Sequence, residues 1–164
     1  MSNPQSRYRL ISLTDYREYF ETIVSEATFI NGFYVTPEDF IDRGKKDRAG
    51  TVLVLENYDN SIQDNQAANI MGQRTGEFYI LRQAAENTKI QEVREACELL
   101  CYKIIGRIKR DRAEGILETQ ISNFQGVEMG LITGVRYTGY GFRFDFVAPI
   151  NRLIAFDEDD WNIE

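Results

Sequence analysis

The chain contains no histidine, so the side chain that most often serves as a general base near neutral pH, and most often binds metals, is missing from all 164 residues. Cysteine is nearly absent. The two thiols, Cys97 and Cys101, are four residues apart in EACELLCYK, which on a helix puts both on one face, pointing the same way. That arrangement does not favour a bridge, and no Cys-x-x-Cys or histidine pair completes a zinc site. Two reduced core thiols are expected. Long apolar runs are lacking as well. The longest, near residues 51–55 and 99–102, fall far short of the roughly 18–20 residues that cross a bilayer. MSNPQSRYRL leads into no uninterrupted apolar stretch of the signal-peptide kind, so neither a membrane segment nor export by that route is expected.

The common chemical signatures are missing too. There is no Gly-x-x-x-x-Gly-Lys phosphate loop, no Gly-x-Gly-x-x-Gly after a strand and no Gly-x-Ser-x-Gly elbow. Glu56, Asp59 and the acids of DNSIQDN lack the glycine and terminal glutamate of a calcium loop. No catalytic residue, cofactor or metal is expected, and the chain reads as no enzyme. Basic residues are the minority, 19 against 26 acids, for a formal net charge of −7. Such a balance weakens phosphate binding. What the chain does have is apolar content, 43% of residues, and enough length to bury roughly 70% of its unfolded surface in one core.

Helical spacing of Leu13, Tyr16, Phe20, Ile23, Val24 and Ala27 predicts a first helix over residues 13–26, opened by a capping-box-like Ser12 and Asp15. Residues 28–50 read as a short strand and then an exposed loop, with KKDR at 45–48 solvated. TVLVLEN at 51–57 suits a central strand covered on both faces. QAANIMGQ and GEFYILRQ form a predicted strand pair joined near residues 73–76, where Gly76 suits a turn. In the latter strand Phe78 and Ile80 occupy one face and Tyr79 and Leu81 the other. The strongest element is a helix from a Thr88/Gln91 capping box to near Arg112, with an apolar stripe of Ile90, Val93, Cys97, Leu100, Cys101, Ile104, Ile105 and Ile108. Its acids come early and its bases late, the order the helix dipole favours. Three further strands follow, ILETQIS, GLITGVRYT and GYGFRFDFVAP, the last two joined by a predicted turn at Thr138, Gly139 and Tyr140. The expected fold class is α+β, a mixed, mostly antiparallel sheet packed against two main helices, in the order α-β-β-β-α-β-β-β. Residues 1–152 form the predicted single domain and 153–164 an acidic C-terminal tail, with five acids in residues 157–164.

This order, with its opening helix SLTDYREYFETIVSEA, strands TVLVLEN and GEFYILRQ, helix TKIQEVREACELLCYKIIGRIKRDR and closing hairpin, resembles the tail-terminator and tail-completion proteins of tailed bacteriophages. It also resembles the related neck, or head-tail connector, proteins. The likeness is one of element order and size. It implies a structural virion subunit that forms a homo-oligomeric ring at the head-tail or tail-end junction. DNA would pass transiently and without sequence preference through its lumen, and its neighbours would be the portal, another connector or the tail tube. The implied location is the virion, and the host cytoplasm during assembly. The acidic end at 157–164 and the aromatic segment at 28–41 depart from the simplest pattern.

A ring joins one patch of each subunit to a different patch of the next. Lys103, Arg107, Arg110 and Arg112 on the second helix and Asp157, Asp159 and Asp160 in the tail are the expected charge pair. Phe142, Phe144 and Trp161 are the expected apolar anchors, with Arg143 beside them. Two other classes compete. One is a small-ligand-binding domain or enzyme. The other is a single-stranded nucleic-acid accessory protein, in which Arg136, Tyr137, Tyr140, Phe142, Arg143 and Phe144 interleave bases and rings as stacking sheets do.

Overall fold

A computed structural model describes residues 7–44, 50–64, 69–85, 89–132, 134 and 136–160. The fold is α+β, with three α-helices and a five-stranded mixed sheet. The elements run α1 (Leu13–Glu26), β1 (Gly32–Val35), α2 (Pro37–Gly44), β2 (Thr51–Gln63), β3 (Met71–Gln83), α3 (Ile90–Ala113), β4 (Ile121–Ile132) and β5 (Tyr137–Pro149), followed by a short 3₁₀ turn, Glu158–Asp160. Across the sheet the order is β1-β2-β3-β5-β4. Only β1 and β2 are parallel; every other neighbouring pair is antiparallel.

The period-two patterns separate two cores. On the inner face, Leu53, Leu55, Phe78, Ile80, Phe142, Phe144 and Phe146 pack under α1 and α3. Aromatic rings dominate there: Phe20 stacks on Phe144 with centroids 5.8 Å apart, and Tyr16 lies nearly parallel to Phe146 at the same separation. From α3 come Cys97, Cys101, Ile104 and Ile108, all buried. Both cysteines are free thiols; burial pushes Cys97 up to about 11, and Cys101 Sγ donates to the Tyr140 carbonyl at 3.3 Å. The outer face holds Val52, Val54, Tyr79, Leu81 and Tyr137 beneath α2.

Helix α1 has the expected span, and its capping box is complete: Ser12 Oγ accepts from the Asp15 amide at 3.1 Å, and Asp15 Oδ2 accepts from the Ser12 amide at 2.9 Å. Helix α3 begins after Lys89, whose side chain makes no cap bond; Thr88 lies outside the described residues, as does the KKDR segment at 45–48. The expected element order needs correction in three places. Residues 37–44 are helical, not loop. Thr-Pro-Glu-Asp at 36–39 is a helix start: Pro37 needs no amide partner in the first turn, Thr36 Oγ1 accepts from the Asp39 amide at 3.3 Å, and two acids face the positive end of the dipole. The buried Phe40 ring then packs edge-on to Tyr34 and Tyr137, at 5.2 and 5.0 Å.

The other two corrections concern glycines. The expected turn near 73–76 is the middle of β3, which is continuous through residues 71–83. Gly76 is there because Tyr16 and Phe144 lie over it; a Cβ would sit 2.6 Å from Tyr16 Oη. Likewise Thr138 to Tyr140 is no turn but the start of β5, and β4 and β5 replace the three expected strands. A Cβ on Gly139 would lie 1.9 Å from the Ile80 carbonyl oxygen. Backbone crowding of this kind has no flexible side chain to move aside. Gly139→Ala is expected to destabilise the fold by about 3 kcal/mol in urea titrations, whereas Gly130→Ala, with nothing within 4 Å of the added carbon, should leave the midpoint unchanged within error.

Candidate functional site

The cations expected at an interface lie near the C-terminal end of α3, where the helix dipole favours them, but most are engaged within the subunit. Arg107 Nε donates to Asp111 Oδ1 at 2.7 Å, and its Nη1 reaches Glu26 Oε2 of α1 at 2.5 Å. Asp111 is fully buried and also accepts from Tyr19 Oη at 3.1 Å. Three elements of charge balance therefore meet where α1 crosses α3. Burial works against the Arg107 charge, yet Asp111 and Glu26 together hold its pKa above the ordinary arginine value. Burial and the neighbouring Asp111 push the Tyr19 phenol upward, so it stays a donor. Arg110 pairs with Glu114 at 2.9 Å, and Arg112 donates to the carbonyls of Leu117 and Glu118 at 3.4 and 2.8 Å, tying the helix end to the chain that follows. Lys103 covers the Phe29 ring at 5.2 Å, on the rim of a 210 Å³ cleft between α1 and α3.

The aromatic anchors require a correction. Phe142 and Phe144 are core residues, 6% and 0% exposed, because the aromatic face of β5 is the face that α1 and α3 cover. They are unavailable either as surface anchors of the folded subunit or as a stacking platform for bases. Alternation along β5 shows only that one face is apolar; it does not say which layer covers it. Arg143 lies on the opposite face, half exposed, and donates to Glu77 Oε2 from Nε and Nη2 at 3.2 and 3.1 Å. Glu77 Oε1 accepts from the Tyr79 hydroxyl. Glu56 faces Glu77 across the strands, and burial, then Glu77 and Glu38, raise its pKa. Toward the far end of this face, a 580 Å³ open groove is lined by polar side chains such as Gln73, Ser122 and Asn123. Its Asp145 is already satisfied by Thr75 and Asn123, each at 3.0 Å.

Beyond β5 the chain turns at residues 150–154 and presents Leu153, Ile154 and Phe156, exposed by 58%, 43% and 63%, then the exposed acids Asp157, Glu158, Asp159 and Asp160. Trp161 lies outside the described residues. The sheet ends on two unlike strands, the four-residue β1 and the twelve-residue β4, and among the described residues no strand pairs with the outer edge of either. Strand β4 runs from the end of ILETQIS at 116–122 into the start of GLITGVRYT at 130–138, two segments that local pattern separates. Among the described residues no group of three Cys, Asp or Glu side chains is placed to hold a metal ion, and no helix is long and apolar enough to cross a membrane. The chain matches no protein-family model, and no curated protein matches it.

Two outcomes follow from these contacts. Removing Asp111 leaves Arg107 and Tyr19 without their shared buried acceptor, so Asp111→Ala is expected to cost about 3 kcal/mol in chemical denaturation. Because the folded pKa of Glu56 is raised, the native state holds its proton more tightly than the unfolded chain does, and stability is lost as pH rises above the ordinary carboxyl value of 4.5. Glu56→Gln should therefore raise the unfolding midpoint at pH 7, with the gain disappearing near pH 4 in a thermal melt series.

Proposed function

We propose that this chain is a structural virion subunit, a ring-forming tail terminator or head-tail connector of a tailed bacteriophage that leaves a lumen for DNA. The single observation that carries the reading is the outer edge of β4. Edge strands are commonly blunted with outward charge, proline, bulges, an inward-turned charge or a covering element. Strand β4 has no proline, no outward-facing charge and, among the described residues, no strand covering its edge; its one charged residue, Glu128, turns toward α3, 3.6 Å from Arg94, and its register shifts are the only other blunting device. The edge is interrupted by register shifts after Ser122 and Met129, but over twelve residues it offers backbone donors and acceptors to another chain. At the other end of the sheet stands the short, parallel β1. Two unlike edges suit a heterologous contact, which closes into a ring when the rotation per subunit allows. The element order supports the same family by resemblance, and a net charge of −7 suits a channel that should not retain phosphate. Portal, connector or tail-tube proteins would be the neighbours.

Light scattering across a concentration and salt series, with negative-stain imaging of the large species, tests the reading. Closed rings of one size are expected. A strict monomer whose unfolding midpoint rises with a small metabolite would overturn it in favour of a ligand-binding domain.

A further inference from the structure

The exposed side of α3 carries a pattern that α3 itself does not need. Leu99 and Tyr102 are 65% and 51% exposed in the middle of the helix, where a solvated face normally carries polar residues. One turn later comes Gly106, a helix-weakening residue with nothing within 4 Å of the position a Cβ would take. Lys109 and Arg110 follow, both exposed. Ahead of the apolar pair stand Glu92, Glu95 and Glu98. Read along the helix, this face is acidic, then apolar and open, then basic. The C-terminal segment has the matching order, with exposed Leu153 and Ile154 ahead of the four acids 157–160.

We infer that the C-terminal segment of one copy docks on the exposed face of α3 of a second copy, with Leu153 and Ile154 against Leu99 and Tyr102 and the acids 157–160 against Lys109 and against Arg110, which would exchange its own Glu114 for them. This deepens the ring reading and rests on it. Leu99 to Lys109 is ten residues of helix, about 15 Å; the six residues from Leu153 to Asp159 run from a turn into a 3₁₀ turn, and their fully extended limit of about 20 Å is enough to span it on docking. Polarity sets the direction, because a reversed segment would bring its acids against Glu92 and Glu95. The open space over Gly106 lets a backbone approach closely between the apolar and the charged contacts. The occupant is a neighbour and not the chain's own tail because of where β5 ends. Tyr102 packs on Phe142 with ring centroids 5.5 Å apart, and β5 continues to Pro149, about 23 Å further along the sheet at the usual strand rise. Leu153 thus leaves the sheet well away from its own Tyr102.

Charge reversal with complementation tests the inference on the full chain. The tail variant carries Asp157→Lys, Asp159→Lys and Asp160→Lys; the helix variant carries Lys103→Glu, Lys109→Glu and Arg110→Glu. All six positions are exposed, so circular dichroism should match the parent; the helix variant should melt somewhat lower, because it loses the Arg110–Glu114 pair and places acids at the negative end of the dipole, and assembly is compared well below both melting midpoints. By analytical ultracentrifugation each variant alone is expected to need about tenfold more protein to assemble. An equimolar mixture should assemble as the parent does, because each tail then meets a helix of opposite charge. Parent-like assembly of both variants would overturn the docking while leaving the ring intact. A parent that remains monomeric throughout would overturn ring and docking together. Hydrogen exchange that slows on α3 of a monomer, and is lost in the tail variant, would assign the face to the chain's own tail and overturn the second-copy contact.

Discussion

Everything in this molecule hangs on the antiparallel pairing of β3 with β5. It runs without a register shift from Met71 opposite Pro149 to Gln83 opposite Tyr137, whereas the flanking pairs β2–β3 and β4–β5 are each interrupted. Two hairpins distant in sequence are thereby locked into one sheet; the second supplies the edge strand β4, while β1 adds to β2 of the first as the other edge. The close approach at Gly139 and the ring seated over Gly76 are consequences of that pairing. With the strands in place, the aromatic residues of β5 have one place to go, beneath α1 and α3.

The two helices on the inner face are joined by a buried polar contact as well as by packing. Asp111 satisfies Arg107 and Tyr19 together, and Arg107 reaches back to Glu26, so the crossing of α1 and α3 has a defined register that apolar contacts alone would leave looser. The same contact removes Arg107 from the set of cations available to a partner. Arg112 is likewise occupied at the helix end. Lys109 remains as outward charge, and Arg110, though exposed, is paired with Glu114 at 2.9 Å; on the proposed ring reading these are the cations that would face a neighbour.

On the proposed ring reading, three surfaces would make the contacts between chains: the open edge of β4, the exposed side of α3 and the segment after β5. They lie on different parts of the subunit, as a heterologous interface requires. Their chemistry is complementary, backbone pairing at the edge and apolar and ionic matching on the helix, so directional electrostatics would set register while buried apolar area supplies most of the affinity.

Periodicity by itself determined a good deal. The 3.6-residue pattern located α1 and most of α3, and placed Cys97 and Cys101 side by side on a buried face; the two-residue pattern assigned Phe78 and Ile80 to one side of β3 and Tyr79 and Leu81 to the other. Local signals also contain α2, in its Thr-Pro-Glu-Asp start. Tertiary structure alone decided the rest. A glycine in a strand and a glycine in a turn look alike in sequence, and only the backbone of Ile80 against Gly139, or the hydroxyl of Tyr16 over Gly76, distinguishes them. The same holds for charge and aromatics. A basic residue near a helix end is free or engaged according to what crosses it, and a phenylalanine in an alternating strand is anchor or core according to which layer covers its face. Those are long-range facts, since the partners, Glu26 for Arg107 and Phe20 for Phe144, lie some 80 and 120 residues away along the chain, and no local pattern records them.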